Sequence, residues 1–245
     1  MGTPWDADTY DRTSQPQQKW GGEVLSRLIG IAPDATVLDV GCGTGRVTEH
    51  LARLVPAGRV LAIDASEEMV SLARARLGER AEVWRSDVLD LDLEEEVDAV
   101  FSTATLHWVE DHDALWPVLA RALRPGGRLE AQCGGEGNIE RVRETIDAAA
   151  ASGAPELEGF SPWTFAGPEE TERRLLAAGF VEPHCWLVEQ PAFPEETAAF
   201  VRTSILAAHL ERLPEPAREP FVAAVVERVR LPLDYVRLNV SAVRA

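Results

Sequence analysis

The fold is decided by the stretch Val37-Leu38-Asp39-Val40-Gly41-Cys42-Gly43-Thr44-Gly45, an apolar strand that runs directly into a glycine-rich turn. Apolar residues then recur at i, i+4, i+7 and i+8 over residues 47–55, which predicts an amphipathic helix. A strand, a glycine turn and a helix in this order form the nucleotide-binding corner of a doubly wound α/β fold. Glycines let the backbone pass close beneath a ligand there, because no Cβ blocks the approach.

The spacing of the glycines distinguishes between ligands for this corner. A dinucleotide-binding turn reads G-x-G-x-x-G, whereas here Arg46 stands in place of the third glycine and the turn reads G-x-G-x-G after Asp39. A carboxylate at the end of the strand suits a cationic ligand and disfavours a pyrophosphate. The turn resembles the first motif of class I S-adenosylmethionine (SAM)-dependent methyltransferases. That resemblance implies a Rossmann-like fold, SAM as cofactor and S-adenosylhomocysteine (SAH) as its product.

Strands and helices alternate along the chain after this turn. Apolar runs predict strands at residues 36–40, 59–63, 82–85, 97–102, 128–133, 181–189 and 235–243. The alternation predicts a doubly wound, mostly parallel α/β sheet of about seven strands with helices on both faces.

The composition of successive segments suggests how the chain is organised. We expect residues 1–245 to form a single domain with an N-terminal arm and helix at 1–35 and a cofactor-binding core at 36–133. The segments 134–168 and 190–230 interrupt the alternation, and we expect them to form a helical cap over the carboxyl ends of the strands.

Charge and cysteine content limit the partners and the compartment. The 245 residues carry a net charge of −17, which disfavours nucleic acid and anionic membranes as partners. Cys42, Cys133 and Cys185 have neither metal-ligand spacing nor the pattern of a disulfide framework. The N-terminus has no signal-peptide pattern and no apolar run is long enough to span a membrane, so we expect a cytoplasmic protein without an obligate protein partner.

Further residues fall where the resemblance places the cofactor. Asp64 ends the second strand roughly 20 residues past the turn, a spacing at which an acid accepts hydrogen bonds from ribose hydroxyls. The alternative role for an aspartate at this position is to cap the following helix. Asp87 is implied to meet the adenine amino group, and Ser102 to lie near the methionine moiety. The cofactor residues implied in this way are Asp39, Gly41, Cys42, Gly43, Gly45, Asp64, Ala65, Met69, Asp87, Val88, Ser102 and Thr103.

Three segments outside this core carry a second resemblance. They are Trp5-Asp6-Ala7 with Tyr10 and Trp20, then Thr105-Leu106-His107-Trp108-Val109, then Gln132-Cys133-Gly134-Gly135-Glu136-Gly137-Asn138. Together they resemble the trans-aconitate methyltransferase group, to which insect juvenile hormone acid methyltransferases are similar. Both groups esterify carboxylic acids, so the resemblance implies a small-molecule acid as the methyl acceptor. A carboxylate is already ionised at neutral pH and needs no general base.

This resemblance suggests roles for several polar and aromatic residues. His107 and Gln132 are the catalytic candidates, because they could hold the oxygens of the acid by hydrogen bonds. The substrate-binding candidates are Tyr10, Gln18, Trp20, Trp108 and Asn138.

Alternatives remain open at this stage. His107 could instead be the general base for O- or C-methylation of a phenol or carbon acid, whose nucleophile must lose a proton. The chain could also bind SAM without transferring a methyl group. An anionic acceptor needs local positive charge, for which Arg141, Arg143 and Arg202 are candidates. We expect no metal, since Asp111 and Asp113 beside His112 are better explained as helix caps.

Overall fold

A seven-stranded sheet is the centre of the molecule. The computed structural model describes residues 7–93 and 95–245, except the side chain of Asp8, so Trp5 and Asp6 of the first motif lie outside the described residues. The strands in the described residues are β1 (Thr36–Val40), β2 (Arg59–Asp64), β3 (Glu82–Arg85), β4 (Val97–Thr103), β5 (Leu123–Gly134), β6 (Phe180–Glu189) and β7 (Val236–Arg244).

The strand order is β3-β2-β1-β4-β5-β7-β6. Strands β1 to β5 are mutually parallel, while β7 runs antiparallel to both β5 and β6. The order reverses between β1 and β4, and such a reversal opens a crevice at the carboxyl ends of the strands. The predicted α/β class and mostly parallel sheet are confirmed, and the crevice lies beside the glycine turn.

Helices cover the sheet and its carboxyl edge. None of those in the described parts of the chain is both long and apolar enough to cross a membrane. They are α1 (Ala7–Thr13), α2 (Gln15–Leu25), α3 (Arg46–Leu54), α4 (Glu67–Leu77), α5 (His112–Ala122), α6 (Glu140–Gly153), α7 (Pro168–Ala177), α8 (Thr197–Phe200), α9 (Ala207–Arg212) and α10 (Glu215–Arg228).

The sequence predicts one continuous helix over residues 195–211, and here the structure differs. A π-helical stretch, Val201–Ile205, separates α8 from α9. Within it the Leu206 amide donates to the Val201 carbonyl over 2.9 Å. The Thr203 hydroxyl donates to the Ala199 carbonyl over 2.8 Å, a local bond of the kind that bends helices. Such π-bulges are frequent at functional sites.

We use the term cap for α6, α8, α9 and α10 together with the π-helical stretch and residues 154–167. These elements share one apolar cluster that includes Ile146, Phe200 and Val225. Trp20 of α2 and Tyr235, just before β7, belong to the same cluster, so the cap packs on the N-terminal arm and on the last strand. The sheet has its own apolar clusters on its two faces.

Candidate active site

The glycine turn after β1 forms the floor of the crevice. Gly41 has a φ of +74°, and a Cβ there would collide with the side chain of Thr105. Gly43 has a φ of +55°, and a Cβ there would meet nothing within 4 Å. The first glycine is therefore required by packing, whereas the second leaves open space in which a ligand can approach the backbone.

A cavity of about 520 Å³ lies above this turn, at the carboxyl ends of β1, β2 and β4. Its size is within the range of small-molecule and cofactor sites. It brings together most of the residues predicted for cofactor and acceptor from different parts of the chain. Those in its wall are Tyr10, Trp20, Gly41, Gly43, Asp64, Ala65, Met69, Asp87, Val88, Thr103, His107, Trp108 and Asn138.

We use the term cofactor half for the part of the cavity wall formed by Gly41, Gly43, Asp64 and Asp87. Asp64 is its central acid. Its Oδ2 accepts from the Gly43 amide and its Oδ1 from the Ser66 amide, each over 2.9 Å. The cap of α4 is Ser66, whose hydroxyl accepts from the Met69 amide. Burial raises the pKa of Asp64, and the backbone amides of Ser66 and Gly43 oppose that rise. A carboxylate oxygen has more than one lone pair, so both oxygens retain capacity to accept from a ligand.

Asp39 lies beneath the cavity wall, not in it. Its carboxylate is buried and accepts from the Thr48 hydroxyl of α3 over 2.7 Å. Burial raises the pKa of Asp39 to about 7, with the hydrogen bond from Thr48 opposing the rise and the charge of Asp64 adding to it. In this structure the acid therefore fixes the start of α3 against the end of β1.

Three other residues predicted for the cofactor also lie outside the cavity wall. Cys42 packs in an apolar cluster of β2 and α4, and burial raises the pKa of its thiol well above the usual value. Gly45, with a φ of +80°, is the residue before α3. The Ser102 hydroxyl donates to the Val40 carbonyl over 2.8 Å, which ties β4 to β1. Each of them packs or bonds within the turn or the strand end and is not part of the cavity wall.

Asp11 fastens the N-terminal helix α1 to the glycine turn. It accepts hydrogen bonds from Arg46, Arg76 and Thr44. Burial alone would raise the pKa of Asp11, but these hydrogen bonds outweigh burial and hold the pKa well below its usual range. The contact positions the neighbouring Tyr10 in the cavity wall.

The arm contributes Gln17 to the cavity wall, where the sequence suggests Gln18. Gln17 precedes Trp20 by three residues on α2, so both side chains lie on one helix face. Gln18 is rotated away from that face, and its Nε2 is buried without a hydrogen-bond partner among the described residues.

His107 lies in a short helical turn after β4 and is buried. Its Nδ1 accepts a hydrogen bond from the Gly134 amide at the end of β5 over 3.2 Å. The ring also stacks on Phe165, with centroids 5.8 Å apart, and lies 5.3 Å from the ring of Trp108. Burial lowers the pKa of His107 well below 6.5, and the charge of Arg237 lowers it further. The imidazole is therefore neutral, with its proton on Nε2.

Arg237 of β7 is the positive charge of the cavity wall. Its side chain is 1% exposed, and its guanidinium lies 4.6 Å from the centre of the Trp20 ring. Nε donates to Gln132 Oε1 over 3.4 Å. Nη2 is buried without a hydrogen-bond partner among the described residues, and no described carboxylate forms an ion pair with the group. Burial lowers its pKa, but an arginine remains protonated in proteins.

Gln132 has a different position from the one expected. Antiparallel pairing of β5 with β7 sets it opposite Asn239, and its Nε2 donates to Asn239 Oδ1 over 2.9 Å. Its Oε1 accepts from Arg237. Both ends of its amide are therefore engaged, and Gln132 is not among the residues of the cavity wall.

The arginines suggested by the sequence have other partners. Arg141 donates to the Pro232 carbonyl over 2.6 Å, Arg143 lies over the Phe165 ring, and Arg202 pairs with Glu219. None of the three lines the cavity.

Comparisons with known proteins identify the family. Residues 37–127 match the family described as a methyltransferase domain. Trans-aconitate 2-methyltransferase of Methylobacterium nodulans is 38% identical over 183 residues, 75% of this chain and 67% of the relative. The enzyme of the same name from Variovorax paradoxus is 30% identical over 233 residues, 92% and 88% of the two chains. An uncharacterised methyltransferase of Schizosaccharomyces pombe is 33% identical over 187 residues, 72% and 70%.

This chain belongs to the class I SAM-dependent methyltransferases. Solved structures share its fold at lower identity. A phosphoethanolamine N-methyltransferase of Haemonchus contortus, with SAH bound, has a TM-score of 0.63 at 18% identity, covering 92% of this chain and 52% of that one. The [4+2]-cyclase SpnF has a TM-score of 0.64 at 23% identity, covering 93% and 81%. A fold that also occurs in a cyclase leaves the acceptor to be argued from the site.

The residues present fit SAM, the cofactor of this methyltransferase. Gly43 leaves space beside the backbone, and Asp64 offers carboxylate oxygens next to it. Asp87 lines the same half of the cavity, with its Oδ1 accepting from the Leu89 amide over 3.0 Å. Carboxylates suit both the ribose hydroxyls and the positive charges of SAM.

Of the two acids beside His112, only Asp111 caps the helix, whereas Asp113 accepts from Arg174 of α7 over 2.8 Å. Asp111 is the N-cap of α5 and accepts from the Ala114 amide over 2.9 Å, while His112 Nε2 contacts the Leu106 carbonyl over 3.0 Å. Among the residues that the structure describes, no group of three or more His, Cys, Asp and Glu side chains could hold a metal ion.

Proposed function

We propose that this methyltransferase O-methylates a carboxylic acid and releases a methyl ester and SAH. The observation that carries the proposal is the pair of donors in residues that line one cavity: His107 Nε2, since Nδ1 is the acceptor, and the unpartnered Arg237 Nη2. A neutral imidazole N–H and an unpartnered guanidinium N–H can together bind the two oxygens of a carboxylate.

The protonation of His107 favours this function over general-base catalysis. A base must offer a lone pair to the acceptor, and the lone pair of Nδ1 already receives the Gly134 amide hydrogen. Nε2 carries the ring proton and can only donate. An acceptor that arrives ionised needs such a donor for orientation, whereas a phenol or carbon acid needs a proton acceptor.

For this reaction the chain has to align the carboxylate oxygen with the methyl group and exclude water. When bound, SAM supplies an electrophilic methyl group, to which a carboxylate oxygen bonds as the carbon–sulfur bond breaks and its electron pair passes to sulfur. His107 and Arg237 orient the oxygens, and Trp20 and Trp108 in the wall keep water away. No proton has to be transferred. Two relatives named trans-aconitate 2-methyltransferase also support a carboxylic acid as acceptor.

The cap has its own part in this proposal. The cap contributes Trp163 and Phe165, Ser204 of the π-helical stretch and Ala208 of α9 to the cavity wall. We propose that 134–168 and 190–230 act with the core in a single domain, and that the cap selects a small-molecule acceptor.

The test is a panel of acceptors assayed for SAH formation. Aliphatic and aromatic carboxylic acids, trans-aconitate, phenols and 1,3-diketones are each incubated with enzyme and SAM. We expect turnover with at least one acid and none with the phenols or carbon acids. Turnover with a phenol or a diketone in the absence of any with the acids would contradict the proposal and favour base catalysis.

A further inference from the structure

Among the described residues, the cavity wall contains one positively charged side chain, since His107 is neutral. Arg237 is that side chain, whereas the acids of the wall are Asp64 and Asp87 in the cofactor half and the exposed Glu110 at the rim. The chain as a whole carries a net charge of −17. We use the term acceptor half for the part of the wall formed by His107, Trp108, Trp163, Phe165, Ile205, Ala208 and Arg237. An anion bound there has Arg237 as its one positively charged neighbour among the residues of the wall.

The other unpartnered polar groups of the wall are neutral. Three buried polar atoms without a hydrogen-bond partner belong to residues that line the cavity: Arg237 Nη2, Ser204 Oγ and Gln17 Oε1. Ser204 lies in the π-helical stretch of the cap. A hydroxyl and an amide can bind a hydroxyl or carbonyl group of a ligand, but neither compensates a second ionised carboxylate.

The remaining acceptor half is aromatic and aliphatic. Trp163 and Phe165 stack with their rings nearly parallel, 11° apart, and their centroids 5.6 Å apart. Trp108 lies 5.8 Å from Trp163, and Ile205 and Ala208 of the cap line the same cavity. Such a surface favours the burial of an apolar ligand body.

We propose that Arg237 limits the acceptor to one carboxylate. The ligand is an acid with a single negative charge and an apolar body that lies along Trp163, Phe165 and Ile205, with any second polar group neutral. Acids with two or three carboxylates are poor substrates, because each additional charge is buried without a partner. This inference rests on the proposed function. It predicts a different acceptor from trans-aconitate, the tricarboxylic acid for which two relatives are named.

A series of acids with increasing charge tests the proposal. 3-Phenylpropanoate and 3-(4-carboxyphenyl)propanoate share a skeleton and differ by one carboxylate, and trans-aconitate carries three. Affinity for the enzyme saturated with SAH is measured by calorimetry, and kcat/KM from methyl ester formation. We expect the monocarboxylate to exceed both others by at least about tenfold in each measurement, since like charges brought together without compensation are strongly disfavoured.

The outcomes separate the two proposals. Equal or better binding and turnover of the dicarboxylate or of trans-aconitate overturns the single-charge inference, while carboxylate methylation stands because an acid is methylated. Methylation of a phenol with no turnover of any acid defeats carboxylate methylation itself.

A variant of Arg237 adds a readout that a purely structural residue would not give. Arg237→Gln keeps an amide that can contact Gln132 but removes the charge. We expect the KM for the monocarboxylate to rise about 10- to 100-fold, with SAH affinity unchanged and a melting temperature no lower than that of the parent, because an unpaired buried charge is lost. The control is Arg202→Gln, which removes an exposed charge of the cap that pairs with Glu219 and should change none of these. A lower melting temperature with unchanged KM in Arg237→Gln would contradict the assignment.

Discussion

Replacement of His107 by glutamine should preserve most of the activity, whereas replacement by asparagine should not. The neutral imidazole accepts at Nδ1 from the Gly134 amide and donates from Nε2. A glutamine amide offers the same combination, one acceptor and one donor, and is long enough to serve both. The shorter asparagine can accept from Gly134 but does not reach into the cavity.

The size of the effect follows from these contacts. Loss of one orienting donor at the reacting oxygen predicts a fall in kcat/KM of about 10- to 1,000-fold for His107→Asn. Loss in His107→Gln should stay within about tenfold, because the donor is retained. His107→Ala also leaves the buried Gly134 amide without its partner, at a cost of about 1–3 kcal/mol in stability.

The assay measures methyl ester formation under saturating SAM, with SAH affinity measured alongside to confirm that the cofactor site is intact. The variants should bind SAH nearly as the parent does. Inactive glutamine and asparagine variants with intact SAH binding would refute orientation by a donor. Full activity in all three variants would give His107 a structural role only.

Three acids near the glycine turn give further predictions. Asp64→Asn should weaken SAH binding about 10- to 150-fold in calorimetry, since a charge-assisted contact to the ligand is lost. The raised pKa of Asp39, about 7 in the fold against 3.8 otherwise, makes its contribution most favourable below about pH 4 and least favourable above pH 7, a difference of about 4 kcal/mol. Ligand-free Asp39→Asn should therefore melt higher than the parent at pH 8, by a margin that shrinks at pH 5. The depressed pKa of Asp11 gives the opposite sign, because its stabilisation is present above about pH 4 and lost as the pH falls further. Asp11→Asn should melt lower than the parent at pH 7 and converge with it in acid.

Each of these three predictions would be contradicted by a specific result. Normal SAH binding with early melting in the Asp64 variant would give that acid a role in the loop alone. A margin for the Asp39 variant that does not change with pH would contradict its raised pKa. An Asp11 variant that melts as the parent does at pH 7 would show that its contacts with Arg46 and Arg76 do not hold α1 in place.

The core of the fold could be predicted because its signals are local. The apolar run before Gly41 and the alternation through residue 133 depend on neighbours in sequence, and the strands of the sheet lie within a few residues of the predicted positions. The cap was less predictable. The π-helical stretch has an i to i−5 backbone bond from Leu206 to Val201, which apolar periodicity does not reveal.

The acceptor half depended on pairing between distant parts of the chain. Arg237 reaches the cavity because β7 inserts antiparallel between β5 and β6, which sets it beside Gln132. No local signal indicates its burial, because apolar and polar residues alternate from Val236 to Val240 as they do in a strand with one face in solvent. Gln17 could have been preferred to Gln18 from its spacing of three residues before Trp20.

The most direct measurement for carboxylate methylation by this enzyme is the lability of its product in alkali. A methyl ester returns to the parent acid in mild base, whereas a methyl ether or a C-methyl compound does not. Turnover of the accepted substrate with SAM, followed by mass spectrometry before and after alkali, should give a product heavier by one methylene that reverts completely to the starting acid. A methylated product that survives alkali unchanged would contradict the role assigned to His107 and Arg237.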